Sequence, residues 1–357
     1  MIESKEPHEP PHATSELPPT GGAIGSEPED FCVEEIPAYL PTGAGEHVYV
    51  EVRKRRLSTQ DLVRRVAEAA AVDSRDIGYA GLKDKHAVTT QWLSLPGRAK
   101  PTSQWSLPTG IEVVRESRHN NKLRTGHLKG NRFRITLRGV ASDGLERAQA
   151  IVKELEQGGV PNYFGAQRFG RGGENLARAI EFLAGGARQR LPPFLLKLYP
   201  SVFQSEIFNR YLTLRREASL DRLFSGEVVR LEGSSASFVV EDSEKEAPRL
   251  AAKEIHLTGP MLGPKMRPAS GFVQELETKA FASLGLDPGI LDVLGRFAPG
   301  ARRDLLVFPE GASVTAPAPD ELVLEFGLPA GSYATVLVRE LTKRPLLGGR
   351  DELERDA

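Results

Sequence analysis

Cysteine is nearly absent from this chain of 357 residues. A single thiol, Cys32, excludes an intrachain disulfide framework and any metal site built on a cysteine cluster. No apolar run approaches the ~20 residues that a membrane-spanning helix needs. The opening stretch, MIESKEPHEPPHATSELPP, lacks a basic segment followed by an apolar core. It is therefore not read as a signal peptide, and the cytoplasm is the expected compartment. Common catalytic signatures are missing as well: there is no GxGxxG after a strand, no Walker loop, no HExxH and no GxSxG elbow. Seven histidines are scattered without ligand spacing, so no metal site is expected.

Net charge is also low, at −1, but it is unevenly spread. Residues 1–30 hold seven acids and one lysine, and residues 350–356 hold four acids and two arginines. Residues 31–349 are left with a net charge of +7. The ends are acidic and the body is mildly basic, which permits a polyanionic partner. Residues 1–28, rich in Pro, Glu and Ser, are expected to be a disordered tail, and 346–357 a charged one.

What is present reads as α+β. HVYVEVR, AVTTQWLSL, IEVVRES, NRFRITLRG, LVLEFGL and YATVLVREL read as strands, most of them paired antiparallel. STQDLVRRVAEAAAV reads as a helix with Ser58 or Thr59 as N-cap and Leu62, Val63, Val66, Ala67 and Ala70 on one face. GLERAQAIVKELEQGG reads as a second helix, ended by glycine. The texture changes between about 160 and 310. PPFLLKLYPSVFQSEIFNRYLTLRREA suggests one or two helices, GEVVRLEGSSASFVVEDSEKEAPRLAAKEIHLTGPM short strands joined by charged turns, and LETKAFASLGL another helix. The expected organisation is one domain formed by 29–158 and 306–345, with a second, 159–305, inserted into it.

Three stretches carry candidate chemistry. In GYAGLKDKHAVTTQ, Asp84 lies between Lys83 and Lys85 after Gly81, at a junction between loop and strand. This is either a solvated turn or a carboxylate kept ionised by neighbouring cations. RHNNKLRTGHLKGNRFR holds six Lys or Arg and no acid, which suits either a solvated face or phosphate contacts by Arg118, Lys122, Arg124 and Lys129. Alternation within it puts Phe133 and Ile135 on one side and Arg132 and Arg134 on the other. Phe133 fits a core position or a stacking platform for an extruded base. NYFGAQRFGRGGEN reads as a glycine-rich loop, and the RKRR run at 53–56 as a solvated turn.

DFCVEEIP, GYAGLKDKHAVTTQ, LKGNRF, NYFGAQRFG and LPAGSYATVLVRE occur in that order. Together they resemble the tRNA pseudouridine synthase D (TruD) family, from about Asp30 to about Leu341. The resemblance implies a pseudouridine synthase catalytic domain, with a mixed, mostly antiparallel sheet and flanking helices, interrupted by a family-specific α+β domain. It implies isomerisation of uridine 13 of tRNA to pseudouridine without a cofactor or metal, by a monomer that needs no protein partner and no membrane. It places the catalytic aspartate at Asp84 and the uridine pocket at Tyr39, Asn131, Phe133 and Tyr333, where some relatives carry Phe in place of Tyr333. Glu35, Lys83 and Lys85 take supporting roles, the two lysines as local counter-charges to Asp84. Two other classes share some of these features. A non-catalytic RNA binder would use the basic stretch without Asp84, and a retaining glycosidase would need a second acid, such as Glu34 or Glu35.

Overall fold

A computed structural model describes residues 6–188 and 190–345. The charged tail expected at 346–357 lies outside them. Two compact units divide the chain. One comprises 16–158 and 308–334; the other comprises 6–15, 159–307 and 335–345 of the described residues.

The first unit is built on a nine-stranded mixed sheet. Its main path runs Glu310–Ala318, Glu321–Pro329, Leu128–Val140, Phe31–Pro37, Val88–Pro96, His47–Arg55, Ile111–His119, with Gly21–Ile24 and Gly78–Tyr79 paired alongside. All pairs are antiparallel except Phe31–Pro37 with Val88–Pro96. Val48, Val50 and Val52 alternate along His47–Arg55 and pack, with Leu93 and Leu95, against the helix Thr59–Ala70. That helix buries Leu62, Val63, Val66, Ala67 and Ala70, the face expected from its 3–4 spacing. Ser58 caps it, its hydroxyl accepting from the Asp61 N–H.

The second unit contains helices Glu174–Ala184, Pro193–Glu217 and Gly271–Ala282 and a four-stranded sheet. Within NYFGAQRFGRGGEN the aromatics Tyr163, Phe164 and Phe169 are buried, so this stretch is core and not only loop. Three glycines at positive φ, Gly170, Gly172 and Gly173, make its tight turns possible.

Four expectations are corrected. YATVLVREL is not a strand: Ala334–Thr342 is a helix. Its β-branched residues favour a strand locally, but burial of Ala334, Leu337, Val338 and Leu341 at helical spacing overrides that preference. EDSEKEAPRLAA contains a helix, Ser243–Ala251, whose N-cap Asp242 accepts the N–H groups of Glu244 and Lys245. The N-terminal residues from 6 onward are ordered. The main-chain N–H groups of His8 and of Ala13 and Thr14 satisfy the buried carboxylates of Glu206 and Glu340, while Gly21–Ile24 joins the large sheet. A tail poor in apolar groups is held here by its backbone. The unit boundaries therefore shift: 16–28 belongs with the large sheet, and 335–345 with the segment 159–307.

Candidate active site

The loop that follows Gly78–Tyr79 returns the chain to the start of Val88–Pro96. It is anchored at four successive points. The Ala80 carbonyl accepts from the Gly126 N–H at 2.8 Å, and the Gly81 carbonyl from Gln91 Nε2 at 3.5 Å. The Lys83 N–H donates to Thr59 Oγ1 at 2.9 Å, and that hydroxyl donates to Gln91 Oε1 at 3.0 Å. Lys54 Nζ donates to the Asp84 carbonyl at 2.8 Å and also to the Leu57 carbonyl. The main chain is thus fixed while the side chains of Leu82, Asp84 and Lys85 are exposed.

Beneath this loop, strand register places the candidate pocket side chains on one face of the sheet. Phe133 stands opposite Phe326 on one side and Val33 on the other. Val33 stands opposite Thr89, and Thr89 opposite Lys54. One row therefore crosses five strands as Phe326, Phe133, Val33, Thr89 and Lys54. Asn131 stands opposite Glu35. Glu35 is buried and pairs with Lys83, Oε2 to Nζ at 2.9 Å. The sequence Asn131–Glu35–Lys83–Asp84 is therefore connected through one strand pair, one ion pair and one peptide bond. Two buried polar atoms on this face, Asn131 Oδ1 and Thr89 Oγ1, have no hydrogen-bond partner among the described residues.

Several expected residues lie differently. Lys83, expected as a counter-charge to Asp84, gives its ammonium to Glu35, because both groups are buried and each needs an opposite charge. Lys85 is exposed. Tyr39 is held elsewhere: its hydroxyl lies 2.8 Å from His127 Nδ1 and its ring stacks on His119 at 5.0 Å. The aromatics beside Phe133 are Phe326, stacked at 5.5 Å, and Phe31, edge-on at 6.2 Å. Phe31 could have been found by alternation, since it shares a face with Val33. Phe133 itself is 6% exposed, so it belongs to this aromatic cluster. Tyr333 is half-buried in the turn after Glu321–Pro329.

The RKRR run is not wholly a solvated turn. Arg53, Arg55 and Arg56 are exposed, but Lys54 is fully buried. Alternation from Val48, Val50 and Val52 carries it inward. Of the expected phosphate contacts, Arg118, Arg124 and Lys129 are exposed and Lys122 is half-buried, its Nζ donating to the Arg75 carbonyl at 2.9 Å. None of the four forms an ion pair among the described residues. A groove of about 670 Å³ is lined by Cys32, Glu34, Arg53, Arg55, Arg132 and Arg134, and Val33, Lys54 and Phe133 also border it. Asp84 does not line it, and its charges are balanced by pairs such as Arg55–Glu29 and Arg134–Glu325. The anchored loop, not this groove, is the candidate centre. No group of three or more His, Cys, Asp or Glu among the described residues is placed to hold a metal ion.

The family model for tRNA pseudouridine synthase D (TruD) matches residues 11–176 and 181–341. The chain belongs to this family. A tRNA pseudouridine synthase D of Anaeromyxobacter sp. is 42% identical over 345 residues, covering 93% of this chain and 96% of its own. That of Thermus thermophilus is 40% identical over 335 residues, covering 93% and 92%. The crystal structure of a Methanosarcina mazei chain assigned to tRNA pseudouridine synthase D superposes with a TM-score of 0.74 at 27% identity, covering 94% of this chain and 97% of that one. The activity is that of a tRNA pseudouridine synthase, an isomerase. The fold is α+β with a large mixed sheet, as in that structure. No described helix is long and apolar enough to cross a membrane.

Proposed function

We propose that Asp84 is the catalytic carboxylate for isomerising uridine 13 of tRNA, and that Asn131 and Phe133 form the floor of the uracil pocket. The observation that carries this reading is the loop itself. Its backbone is bonded at residues 80, 81, 83 and 84, yet it presents the Asp84 side chain outward. A rigid main chain with an accessible carboxylate is what positioned catalysis requires.

The reaction breaks the N1–C1′ bond, rotates the uracil, forms C5–C1′ and moves the C5 proton off the ring while N1 gains one. Atoms balance without a co-reactant, which is consistent with the cofactor-free expectation. Asp84 serves as nucleophile at C1′ or as base toward the ribose. The unpartnered Asn131 Oδ1 is an acceptor suited to the uracil N3–H. Extruding the base costs a few kcal/mol, and stacking on an aromatic offsets about 1–3 kcal/mol of that. Arg118, Lys122, Arg124 and Lys129 contact tRNA phosphates. The reading includes a monomer acting in the cytoplasm, and a catalytic domain interrupted by a family-specific one.

The test is Asp84→Asn. The amide keeps the shape and removes the charge, so pseudouridine at position 13, read by chemical labelling and mass spectrometry, should disappear while tRNA binding stays within about threefold, since phosphate contacts supply most affinity. Turnover retained in this variant refutes the assignment.

A further inference from the structure

Lys54 lies in a run of four basic residues, and it alone among them is fully buried. A buried ammonium is costly unless it is paired, and Lys54 enters no ion pair among the described residues. Its two hydrogen bonds go to main-chain carbonyls, those of Leu57 and Asp84. A methionine would fill the same space without the desolvation penalty. Packing alone therefore does not account for the charge. The two carbonyls belong to the entry of the Thr59–Ala70 helix and to the loop bearing the proposed catalytic acid. The helix entry supplies the other anchor: Thr59 Oγ1 accepts the Lys83 N–H.

We infer that Lys54 is a positioning residue that clamps the catalytic loop against the start of the helix and fixes the direction in which Asp84 presents its carboxylate. The inference rests on the assignment of Asp84. The backbone is held on both sides of that side chain: by the N–H of Lys83 before it and by the carbonyl of Asp84 after it. With both held, the Cα–Cβ bond of residue 84 has one orientation. Releasing the carbonyl frees the peptide that follows Asp84 and lets the carboxylate drift. A misplacement of about 1 Å is enough to lower a rate by about 100-fold. Burial makes the ammonium hold its proton less tightly, to about 8, and the nearby Asp84 and Asp61 oppose that loss while Lys83 adds to it. The site is thus electrostatically joined to the carboxylate as well as hydrogen-bonded to its backbone.

The experiment uses the full-length enzyme and tRNA, with Asp84→Asn as a parallel control. Lys54→Met is expected to lower the single-turnover rate about 30- to 100-fold with tRNA affinity unchanged within about threefold, because the lost element acts on the reacting group and not on phosphates. A second variant restores the amine. Lys54→Cys on a Cys32→Ser background, unfolded, treated with bromoethylamine and refolded, carries an ammonium at nearly the lysine length. Aminoethylation should raise its rate at least tenfold. If Lys54→Met turns over within threefold of the parent, the positioning role is wrong. It is also wrong if rate and tRNA affinity fall together, or if aminoethylation restores folding but not rate. Should Lys54→Met not fold, the comparison of Lys54→Cys before and after aminoethylation decides alone. An active Asp84→Asn would instead overturn the catalytic assignment itself, and an inactive Asp84→Asn beside an active Lys54→Met overturns the role of Lys54 only.

Discussion

Removing Lys83 alone should destabilise the large-sheet unit more than removing Lys83 and Glu35 together. Their charged atoms are 2.9 Å apart, with side-chain exposures of 4% and 1%. At an effective dielectric of 20 the attraction over that distance is about 6 kcal/mol. Desolvation of the two groups offsets most of it, so the intact pair contributes little net stability. The balance changes when one partner is lost. Lys83→Met leaves a buried Glu35 carboxylate with only the Trp92 N–H at 3.4 Å, and the expected cost is about 3–5 kcal/mol. Glu35→Met leaves the converse charge at a similar cost. The double variant leaves neither, so its loss should be smaller than either single loss, which puts it at least about 3–5 kcal/mol below the sum of the two. Urea unfolding followed by tryptophan fluorescence reads this unit directly, since Trp92 and Trp105 are the only tryptophans and both lie within it. Losses that simply add would mean that the two charges do not depend on each other, and the account of the loop's anchoring would fail. Single-turnover rates of the same proteins should fall in all three, because each loses the tie between the loop and the Phe31–Pro37 strand.

Deleting residues 1–15 should lower stability by about 2–4 kcal/mol, since Glu206, Glu340 and Arg339 would lose main-chain partners while staying buried; an unchanged melting temperature would show that those bonds do not hold the segment. Stability should also respond to Lys54 titration. Its proton is held at about 8 in the fold against 10.5 for the free side chain, so between those values the unfolded chain carries more protons and stability rises with pH. After screening, the parent should gain about 1–2 kcal/mol on Lys54→Met between pH 7 and 9.5, and a constant difference in paired denaturation curves would contradict this. Reversing Arg124 and Lys129 to Glu should reduce the log–log salt slope of tRNA binding by about 0.7–0.9 for each phosphate no longer neutralised, and an unaltered slope would make them solvated surface.

The placement of the proposed pocket residues was legible where they lie on strands, because alternation assigns faces there. Asn131 and Phe133 fall on the inner face of NRFRITLRG and Arg132 and Arg134 on the outer, as the register shows. The same alternation, continued one step beyond Val52, points Lys54 inward, but a cluster of four cations suggests solvent and hides the period. The partner of Lys83 was not legible. An ion pair between residues 35 and 83 depends on how a loop folds over a strand, and no local pattern encodes that. The surroundings of Tyr39 were not legible for a related reason: beyond Pro37 the chain leaves the sheet, and face assignment ends with it. The Ala334–Thr342 helix and the N-terminal segment were missed together, because each is stabilised by the other through Glu340.

The five-strand row that ends at Lys54 also has a consequence for biosynthesis. Phe133 receives its stacking partner Phe326 from a strand that lies beyond the entire 159–307 segment. On a ribosome adding about 5–20 residues per second, the Leu128–Val140 strand waits about 10–40 s for Glu321–Pro329 to emerge. Through that interval one edge of a long strand carrying Phe133, Ile135 and Leu137 has no partner, which is the geometry that invites intermolecular pairing. Slow synthesis or premature termination within the 159–307 segment would therefore yield chains prone to aggregate, with the Asp84 loop already made and the Phe326 side of the Phe133 cluster missing.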